Sequence, residues 1–449
     1  MGSYQALCAK ENVKPILSIS IVPAAGGKAL YSHNEDALLA PASNQKVLTS
    51  AFALTRLGEK FEFVTKACTV GKDLWIIGSG DPTFGDATLA KESNATAYDE
   101  VDRWAAAIKS ALPGGIEGDI VACTAFSDKQ ATPQESYRHA DWPEKQAHNW
   151  FCAPVAAVNF NNNCIDITFD AMGEKIAPVL IPAGKYIAVT DKLTKGAEQT
   201  WGALIGPDDA TVTLKGTVKS ASTEVQNVAI NEPPLFAARA IAGRLDRAGV
   251  KLSDNIHFRT AGPEELQKAA ISKPLCQTAT PLGQVIRRAN KHSLNMAAEC
   301  VFLRAGDGTW AGSAKLMTET LTREFGLDAA GFEVHEGSGL SKNDKLSAAA
   351  MTKLLAAMSQ KGYAKTFLAS LPISGTDGTL EHRMKDSPYK GRVLAKTGWI
   401  AGVSCLSGYV LGADGSPAVA FSILCNKVPS PAKDLQDNIC RAILDSLAK

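Results

Sequence analysis

The chain has 449 residues, of which 45% are hydrophobic and 21% charged, and its formal net charge is +1. It is long enough for a large core in two or three domains, and this composition is ordinary for a soluble globular protein. A nucleic-acid partner is not expected because no basic stripe is interleaved with aromatic residues, and no apolar run approaches the ~20 residues of a membrane-spanning helix.

The cysteines and histidines do not predict a cofactor or a metal site. The ten cysteines are scattered, and the sequence contains no Cys-x-x-Cys pair, Cys/His ligand spacing or His-Glu-x-x-His cluster. Scattered cysteines are more often buried apolar residues than bridges. One or two disulfides, such as Cys152 with Cys164, stay open for an exported protein.

The N-terminal part predicts a hairpin that leads into a buried helix. Residues 16–22 are partly alternating and β-branched, and a Gly26-Gly27 turn and a short second strand follow. Apolar residues at 47, 48, 51, 52 and 54 indicate a helix, with Ser43 and Lys46 at its start. Side chains three residues apart share a helix face. A serine hydroxyl would therefore lie beside a lysine amine, which can activate a weak nucleophile without histidine.

This Ser-x-x-Lys pattern is not specific by itself. It recurs at Ser387, Ser430 and Ser446, although only the copy at Ser43 opens a strongly apolar helix. An alternative interpretation makes Ser43 an ordinary N-cap and Lys46 a solvated residue of the first turn.

The middle of the chain, from about residue 61 to 267, differs in character. It contains short strands and two clear helical patterns at 98–112 and 234–248, and residues 185–230 are almost purely strand and turn. This change predicts a β-rich insertion.

The C-terminal part predicts helices at 281–290, 294–305, 313–325 and 347–360, strands at 392–400, 403–410 and 418–425, and a final helix at 431–447. Together with the N-terminal hairpin, the last strands would form one antiparallel sheet flanked by helices. We therefore predict an α+β fold in which both ends of the chain build one domain.

Two later motifs strengthen the interpretation of Ser43. Ser293-Leu294-Asn295 matches Ser-x-Asn, and Lys396-Thr397-Gly398 is the only Lys-Thr-Gly in the chain. Ser-x-x-Lys, Ser-Asp-Asn and Lys-Thr-Gly are the motif set of class A β-lactamases and penicillin-binding proteins.

The middle motif has competitors. Ser-x-Asn also occurs at Ser32, Ser253 and Ser341, and the copy at Ser253 is the literal Ser-Asp-Asn. We favour Ser293 because it lies between two helical patterns. As alternatives, Ser293 and Asn295 could cap a helix, and residues 396–398 could be an ordinary strand end.

The three motifs predict an acyl-transfer site. Ser43 Oγ would attack an acyl carbon, and Lys46 would take its proton if burial beside Lys396 lowered its pKa. Ser293 could relay a proton to the leaving amine, and Asn295 could hold substrate amides.

The third motif would bind the oxyanion and the substrate. Backbone N–H groups of Ser43 and Trp399 would stabilise the oxyanion. Lys396 and Thr397 suit a substrate carboxylate, and Gly398 would leave space for the substrate backbone.

On these motifs the chain resembles the class C low-molecular-mass penicillin-binding proteins. The resemblance also covers stretches at 78–83, 156–161, 337–341, 375–380 and 418–422. It implies Ser43 as acylated nucleophile, Lys46 as base, Ser293 with Asn295 as second motif, and residues 396–398 as third. Three positions depart from the family pattern: Trp399 stands where a small or hydroxyl residue is common, Lys342 where arginine is, and Cys123 where an aspartate is.

The resemblance also implies activity, domains and location. It implies a serine D-Ala-D-Ala carboxypeptidase, with DD-endopeptidase activity on crosslinks left open, that acts on peptidoglycan peptides and is acylated by β-lactams. It implies a catalytic domain at 1–62 and 268–449, an inserted domain at 63–160 and 230–267, and a nested β-rich domain at 161–229.

Such enzymes are exported to the periplasm or the exterior of the cell envelope. Since the chain opens without a charged-then-apolar segment, we expect a processed or recombinant form. The sequence leaves open whether the protein forms a homo-oligomer. The alternatives are a β-lactamase or esterase of related fold, and a non-catalytic peptidoglycan-binding scaffold.

Overall fold

A computed structural model describes Ala9 and residues 14–172, 175–269 and 272–448. The chain forms two compact units, Met1–Phe61 with Pro281–Lys449, and Glu62–Thr280. The second boundary between the units lies after residue 280, whereas the resemblance had implied a boundary after residue 267. The reason is that the strand at 276–281 joins a sheet of the second unit. The division of that unit into two nested domains stays a prediction.

The first unit begins with β1 (Ile16–Pro23), β2 (Tyr31–His33), a 3-10 turn at Ala42–Asn44 and α1 (Gln45–Leu57). The second unit consists, in chain order, of β3 (Glu62–Val70), β4 (Asp73–Gly78), α2 (Ala87–Glu92), α3 (Asp99–Ala111), β5 (Ile120–Cys123), β6 (Cys164–Met172), β7 (Lys175–Ile181), β8 (Ala188–Lys195), β9 (Gly202–Ile205), β10 (Thr211–Val218), β11 (Ser222–Ala229), α4 (Pro233–Arg247), β12 (Phe258–Ala261), α5 (Pro263–Ala269) and β13 (Cys276–Pro281). The first unit resumes with α6 (Leu282–Lys291), α7 (Asn295–Ala305), α8 (Trp310–Phe325), β14 (Phe332–Glu333), β15 (Lys345–Leu346), α9 (Ala348–Ser359), α10 (Ala364–Ser370), β16 (Val393–Ile400), β17 (Val403–Leu411), β18 (Pro417–Asn426) and α11 (Lys433–Leu447).

The first unit is built on a five-stranded sheet in the order β16-β17-β18-β1-β2, with every neighbouring pair antiparallel. Because successive side chains on a strand point to opposite faces, Ile423 packs in a cluster with Leu444 of α11, whereas Leu424 packs with Ala348 of α9. Helices therefore cover both faces of the sheet. The predicted α+β class and the antiparallel sheet from both chain ends are confirmed.

The described residues of the second unit form three sheets. One has five strands in the order β12-β5-β4-β3-β13, and two have three strands each, β8-β10-β9 and β11-β6-β7. One buried apolar cluster includes Ile76 and Trp104 from the first of these sheets and α3, and Ile167 and Leu214 from the smaller sheets. The β-rich segments thus share a core with the rest of this unit.

The helices differ from the prediction mainly in two ways: one helix begins earlier than predicted, and three short helices were not predicted. Helix α8 begins at Trp310 instead of residue 313 because the Thr309 side chain caps it by accepting a hydrogen bond from the N–H of Gly312. Helices α2, α5 and α10 have six or seven residues, too few to show a helical period.

The nine cysteines in the described part of the chain are free thiols, so Cys152 and Cys164 do not form the bridge that the sequence left open. Cys8 lies outside the described residues. None of the helices within these ranges is long and apolar enough to cross a membrane. No group of three or more His, Cys, Asp or Glu side chains in the same ranges could hold a metal ion.

Candidate active site

Ser43 lies in the 3-10 turn that leads directly into α1. The N-cap of α1 is Asn44, whose side chain makes no capping hydrogen bond. Ser43 Oγ accepts a hydrogen bond of 2.9 Å from Lys46 Nζ. The interpretation of Ser43 as an ordinary N-cap is therefore wrong, and its hydroxyl lies beside the amine as the helical spacing predicted.

Two glycines allow other segments to approach the Ser43 turn. Gly339 has φ +82°, and a Cβ there would lie 1.7 Å from the Ala42 carbonyl oxygen. A Cβ at Gly398 would lie 2.9 Å from the Pro41 carbonyl oxygen. The space at Gly398 is thus taken by the Ser43 turn, whereas the sequence had suggested room for substrate backbone.

We expect Gly339→Ala to destabilise the protein much more than Gly402→Ala. Both glycines have positive φ, but a Cβ at Gly402 would meet nothing within 4 Å. Gly402→Ala should cost about 1 kcal/mol of the free energy of unfolding, and Gly339→Ala about 3 kcal/mol or more because backbone must move. Denaturant unfolding measures both. Equal losses would mean that the contact with Ala42 is not tight.

Lys46 is completely buried, which contradicts the solvated alternative. Its Nζ donates to Ser43 Oγ, to Asn295 Oδ1 at 2.6 Å and to the Ser338 carbonyl oxygen at 2.7 Å. The two carbonyl oxygens can only accept hydrogen bonds. A neutral amine would therefore spend its two N–H groups on them and direct its lone pair at the Ser43 hydroxyl.

The two buried lysines of the site have lowered pKa values. Burial lowers the pKa of Lys46 to about 8, and the negative charge of Glu336 partly offsets this shift. Burial and the nearby positive charge of Lys46 lower the pKa of Lys396 well below its usual value. Deprotonation of Lys46 near neutral pH is therefore accessible.

The second motif joins both lysines. Ser293 has φ +57° and lies between α6 and α7. Its Oγ accepts a hydrogen bond of 2.9 Å from Lys396 Nζ, while Asn295, the first residue of α7, contacts Lys46. The N-cap of α7 is Leu294, without a side-chain capping bond, so the capping alternative is wrong.

We expect Ser293→Ala to lower acylation by a penicillin about 10²-fold, because a proton relay contributes an effect of this order. Ser253→Ala is the matched control, since Ser253 lies in the second unit and, among the described residues, its Oγ accepts one hydrogen bond, of 3.4 Å, from the Asn255 N–H. Stopped-flow acylation rates give the comparison. If Ser253→Ala lowered the acylation rate and Ser293→Ala did not, the literal Ser-Asp-Asn would be the functional motif.

The third motif lies inside β16, not at a strand end. Lys396 is completely buried, and its Nζ also donates to the Thr397 carbonyl oxygen at 2.7 Å. The Thr397 hydroxyl donates to the Thr379 hydroxyl at 2.8 Å. Thr379 was not predicted as a site residue, although it belongs to the stretch at 375–380 that carried the resemblance.

The outer edge of β16 offers backbone donors. In its sheet β16 has a partner strand on one side only, and the Ala395 N–H donates to the Pro372 carbonyl oxygen at 3.0 Å on the other side. Because hydrogen-bonding directions alternate along a strand, the N–H groups of Thr397 and Trp399 point to the same edge. The Trp399 side chain is 44% exposed.

The segment before Ser293 is anchored to the loop that carries Thr379. The buried Lys291 forms an ion pair with the partly exposed Asp377, whose other oxygen accepts a 2.9 Å hydrogen bond from the Ile373 N–H. A Cβ at Gly378 would lie 2.7 Å from the Lys291 carbonyl oxygen. These contacts hold the two hydroxyl-bearing segments in place, and only long-range packing reveals them.

Three consecutive carbonyls of the loop at 336–338 accept hydrogen bonds from α1. The Gln45 side-chain amide donates to the Glu336 carbonyl oxygen at 3.2 Å, and the Thr49 hydroxyl donates to the Gly337 carbonyl oxygen at 2.6 Å. Lys46 Nζ donates to the Ser338 carbonyl oxygen. Apart from Lys46, these residues were not predicted as site residues, although Gly337 and Ser338 belong to the stretch at 337–341 that carried the resemblance.

Lys342 follows this loop and is exposed. Within the described ranges, no hydrogen bond or ion pair connects its amine to the other site residues. The structure therefore brings together the residues of the three motifs and leaves Lys342 outside their direct contacts.

Comparisons with known proteins identify the family to which the chain belongs. Residues 5–445 match the D-Ala-D-Ala carboxypeptidase 3 (S13) family. The chain is 28% identical over 447 residues to a D-alanyl-D-alanine carboxypeptidase of Actinomadura sp. (strain R39), covering 93% of this chain and 79% of the relative.

Solved structures of penicillin binding protein 4 (dacB) from Haemophilus influenzae are similar over the full length of both chains at 20% identity. The TM-score is 0.73 for one structure and 0.71 for a complex with a β-lactam. Because the family match spans nearly the whole sequence, this chain belongs to the D-Ala-D-Ala carboxypeptidase 3 (S13) family of serine hydrolases.

Proposed function

We propose that Ser43 is the nucleophile with which this D-Ala-D-Ala carboxypeptidase forms an acyl-enzyme. The supporting observation is the position of Lys46, whose amine is held by two carbonyl oxygens and faces Ser43 Oγ at 2.9 Å. Lys46 takes the hydroxyl proton while Oγ bonds to the carbonyl carbon of the penultimate D-Ala. The oxyanion accepts hydrogen bonds from the N–H groups of Ser43 and Trp399.

Ser293 completes the proton path. The tetrahedral intermediate breaks its C–N bond, and the terminal D-Ala leaves after its amine receives a proton through Ser293, which Lys396 orients at 2.9 Å. Water then attacks the ester, and Ser43 recovers its proton. A β-lactam would acylate the same oxygen through opening of its ring.

The third motif and its neighbours would recognise the substrate. The Thr397 and Thr379 hydroxyls, 2.8 Å apart, together with Lys396, suit the terminal carboxylate of the peptide. Asn295 would hold a backbone amide, and the exposed Trp399 ring offers a stacking surface. Lys342 would supply a positive charge for a more distant part of the stem peptide.

Crosslinks that end in the same D-alanyl bond could enter the site, which would give DD-endopeptidase activity. Peptidoglycan peptides as substrates imply that the protein acts in the cell envelope, outside the cytoplasm.

The deciding experiment combines release of D-Ala from a D-Ala-D-Ala tripeptide with intact-protein mass after incubation with a penicillin. Turnover together with one adduct that maps to the peptide containing Ser43 would support the proposal. Hydrolysed antibiotic without an adduct would favour a β-lactamase. Intact antibiotic, no adduct and no turnover would favour a non-catalytic scaffold.

A further inference from the structure

Three completely buried carboxyl groups, those of Glu299, Glu336 and Asp344, form a cluster beside Lys46. Glu336 is hydrogen-bonded to both of the other acids. Glu299 is one helical turn beyond Asn295 on α7, so the helix that contacts Lys46 also contacts this cluster.

The hydrogen-bond partners of the three acids indicate which of their oxygens carry protons. Glu299 Oε2 accepts from the Gly337 N–H, and Asp344 Oδ1 accepts from the His335 N–H, both at 2.7 Å. The other oxygen of each acid receives no hydrogen bond from a donor in the described part of the chain. A proton on each of these oxygens, donated to Glu336, satisfies all three groups and avoids buried like charges.

The pKa directions agree with this arrangement. Burial and the negative charge of Glu336 raise the pKa of Glu299 and of Asp344 well above the usual values. Burial alone would raise the pKa of Glu336, but hydrogen bonds from Glu299, Asp344 and Ser338 lower it to about 2. The pKa directions and the hydrogen bonds both favour a single negative charge on the cluster, carried by Glu336.

Glu336 also shapes the loop that contacts Lys46. Its carboxylate accepts from the Ser338 N–H at 3.1 Å, from the Ser338 hydroxyl at 2.6 Å and from the Gly339 N–H. The Ser338 carbonyl is thereby turned toward Lys46 Nζ.

We propose that Glu336 is a positioning residue for acylation: it holds the Ser338 carbonyl against Lys46 and supplies the single negative charge that faces the lysine, while Glu299 and Asp344 stay protonated. This inference rests on the proposed role of Lys46 as the base for Ser43.

The negative charge of Glu336 has a predictable effect on the pH dependence of the acylation rate. The titratable groups that act on Lys46 are Glu336 of the loop, Glu299 on α7 and Lys396 on β16, and Asp344 is hydrogen-bonded to Glu336. A carboxylate favours the ammonium form of Lys46 and so raises its pKa. Loss of the Glu336 charge would make neutral amine available at lower pH, and the acidic limb of the acylation rate would move to lower pH.

The experiment measures the second-order rate of acylation by a penicillin from pH 5 to 10 in the full chain. Glu336→Gln should lower the maximal rate and move the acidic midpoint down by about one pH unit. Glu336→Asp keeps the negative charge on a shorter side chain. Its acylation rate should therefore fall, while the acidic midpoint of the pH profile should not move.

Glu299→Gln and Asp344→Asn are the matched controls. Each amide keeps an oxygen for its backbone N–H and an NH₂ group that can donate to Glu336, and neither changes the charge of a protonated acid. Their midpoints should stay within about 0.3 pH units of the wild type, whereas ionised acids would give shifts of about one unit.

An unmoved midpoint in Glu336→Gln, or a shift of about one unit in Glu299→Gln or Asp344→Asn, would overturn the inference. If Glu336→Gln did not fold, the two control variants would still decide whether Glu336 alone carries the charge. A wild-type adduct on Ser43 with these contrary results would leave the proposed function standing. Absence of any adduct on the wild type would instead overturn the proposed function itself.

Discussion

Ser43→Ala should abolish the penicillin adduct and lower the release of D-Ala by at least about 10⁴-fold, because the acyl-enzyme cannot form without the nucleophilic oxygen. The Lys46 amine would keep its contacts with Asn295 and Ser338. The variant should therefore fold, and circular dichroism would verify this. Intact-protein mass and D-Ala release give the two readouts.

The chain supplies a matched control in a second Ser-x-x-Lys pattern. Ser430 and Lys433 have the same spacing, but Ser430 lies just before α11 and Lys433 is its first residue, both at the protein surface. Within the described ranges neither residue contacts the three motifs. Ser430→Ala should keep both adduct and turnover. An adduct that persists in Ser43→Ala would refute the assignment of the nucleophile.

Lys46→Ala should reduce the acylation rate about 10³- to 10⁴-fold, because the base that removes the Ser43 proton is lost. In the wild type, with a pKa of about 8, the neutral fraction of Lys46 rises as the pH increases through that value. The acylation rate should therefore rise over the same interval, and Lys46→Ala should lose this dependence. Lys433→Ala serves as control and should behave like the wild type.

Lys46→Ala also leaves two buried carbonyl oxygens without their donor, which lowers stability. Unfolding curves separate this loss from the kinetic effect, since the rates are measured on folded protein. A near-normal rate of acylation in Lys46→Ala would rule out Lys46 as the base.

Much of the fold could be predicted because it depends on local patterns. The apolar period of residues 47–54 identified α1, and the three-residue spacing alone placed Ser43 beside Lys46. Alternating and β-branched segments at both chain ends predicted the strands of one sheet, and the order of the motifs predicted which segments meet.

The rest of the site depends on contacts between distant segments. Glu299 looks like an ordinary polar residue of a helix, and only the packed loop at 336–339 shows that it is buried with Glu336. The same holds for Thr379, which becomes a partner of Thr397 through the fold of its loop. Gly398 was assigned to the substrate because the sequence does not show that the Pro41 carbonyl takes its space.

The two carbonyl oxygens that hold the Lys46 amine belong to residues that lie 249 and 292 positions further along the chain. A nascent or truncated chain therefore contains the Ser43 helix without the groups that hold its lysine, and it should be inert toward penicillin. Antibiotic bound per mole of protein would then count the natively folded molecules in a preparation. Labelling with a fluorescent penicillin would report when these distant segments have come together during refolding.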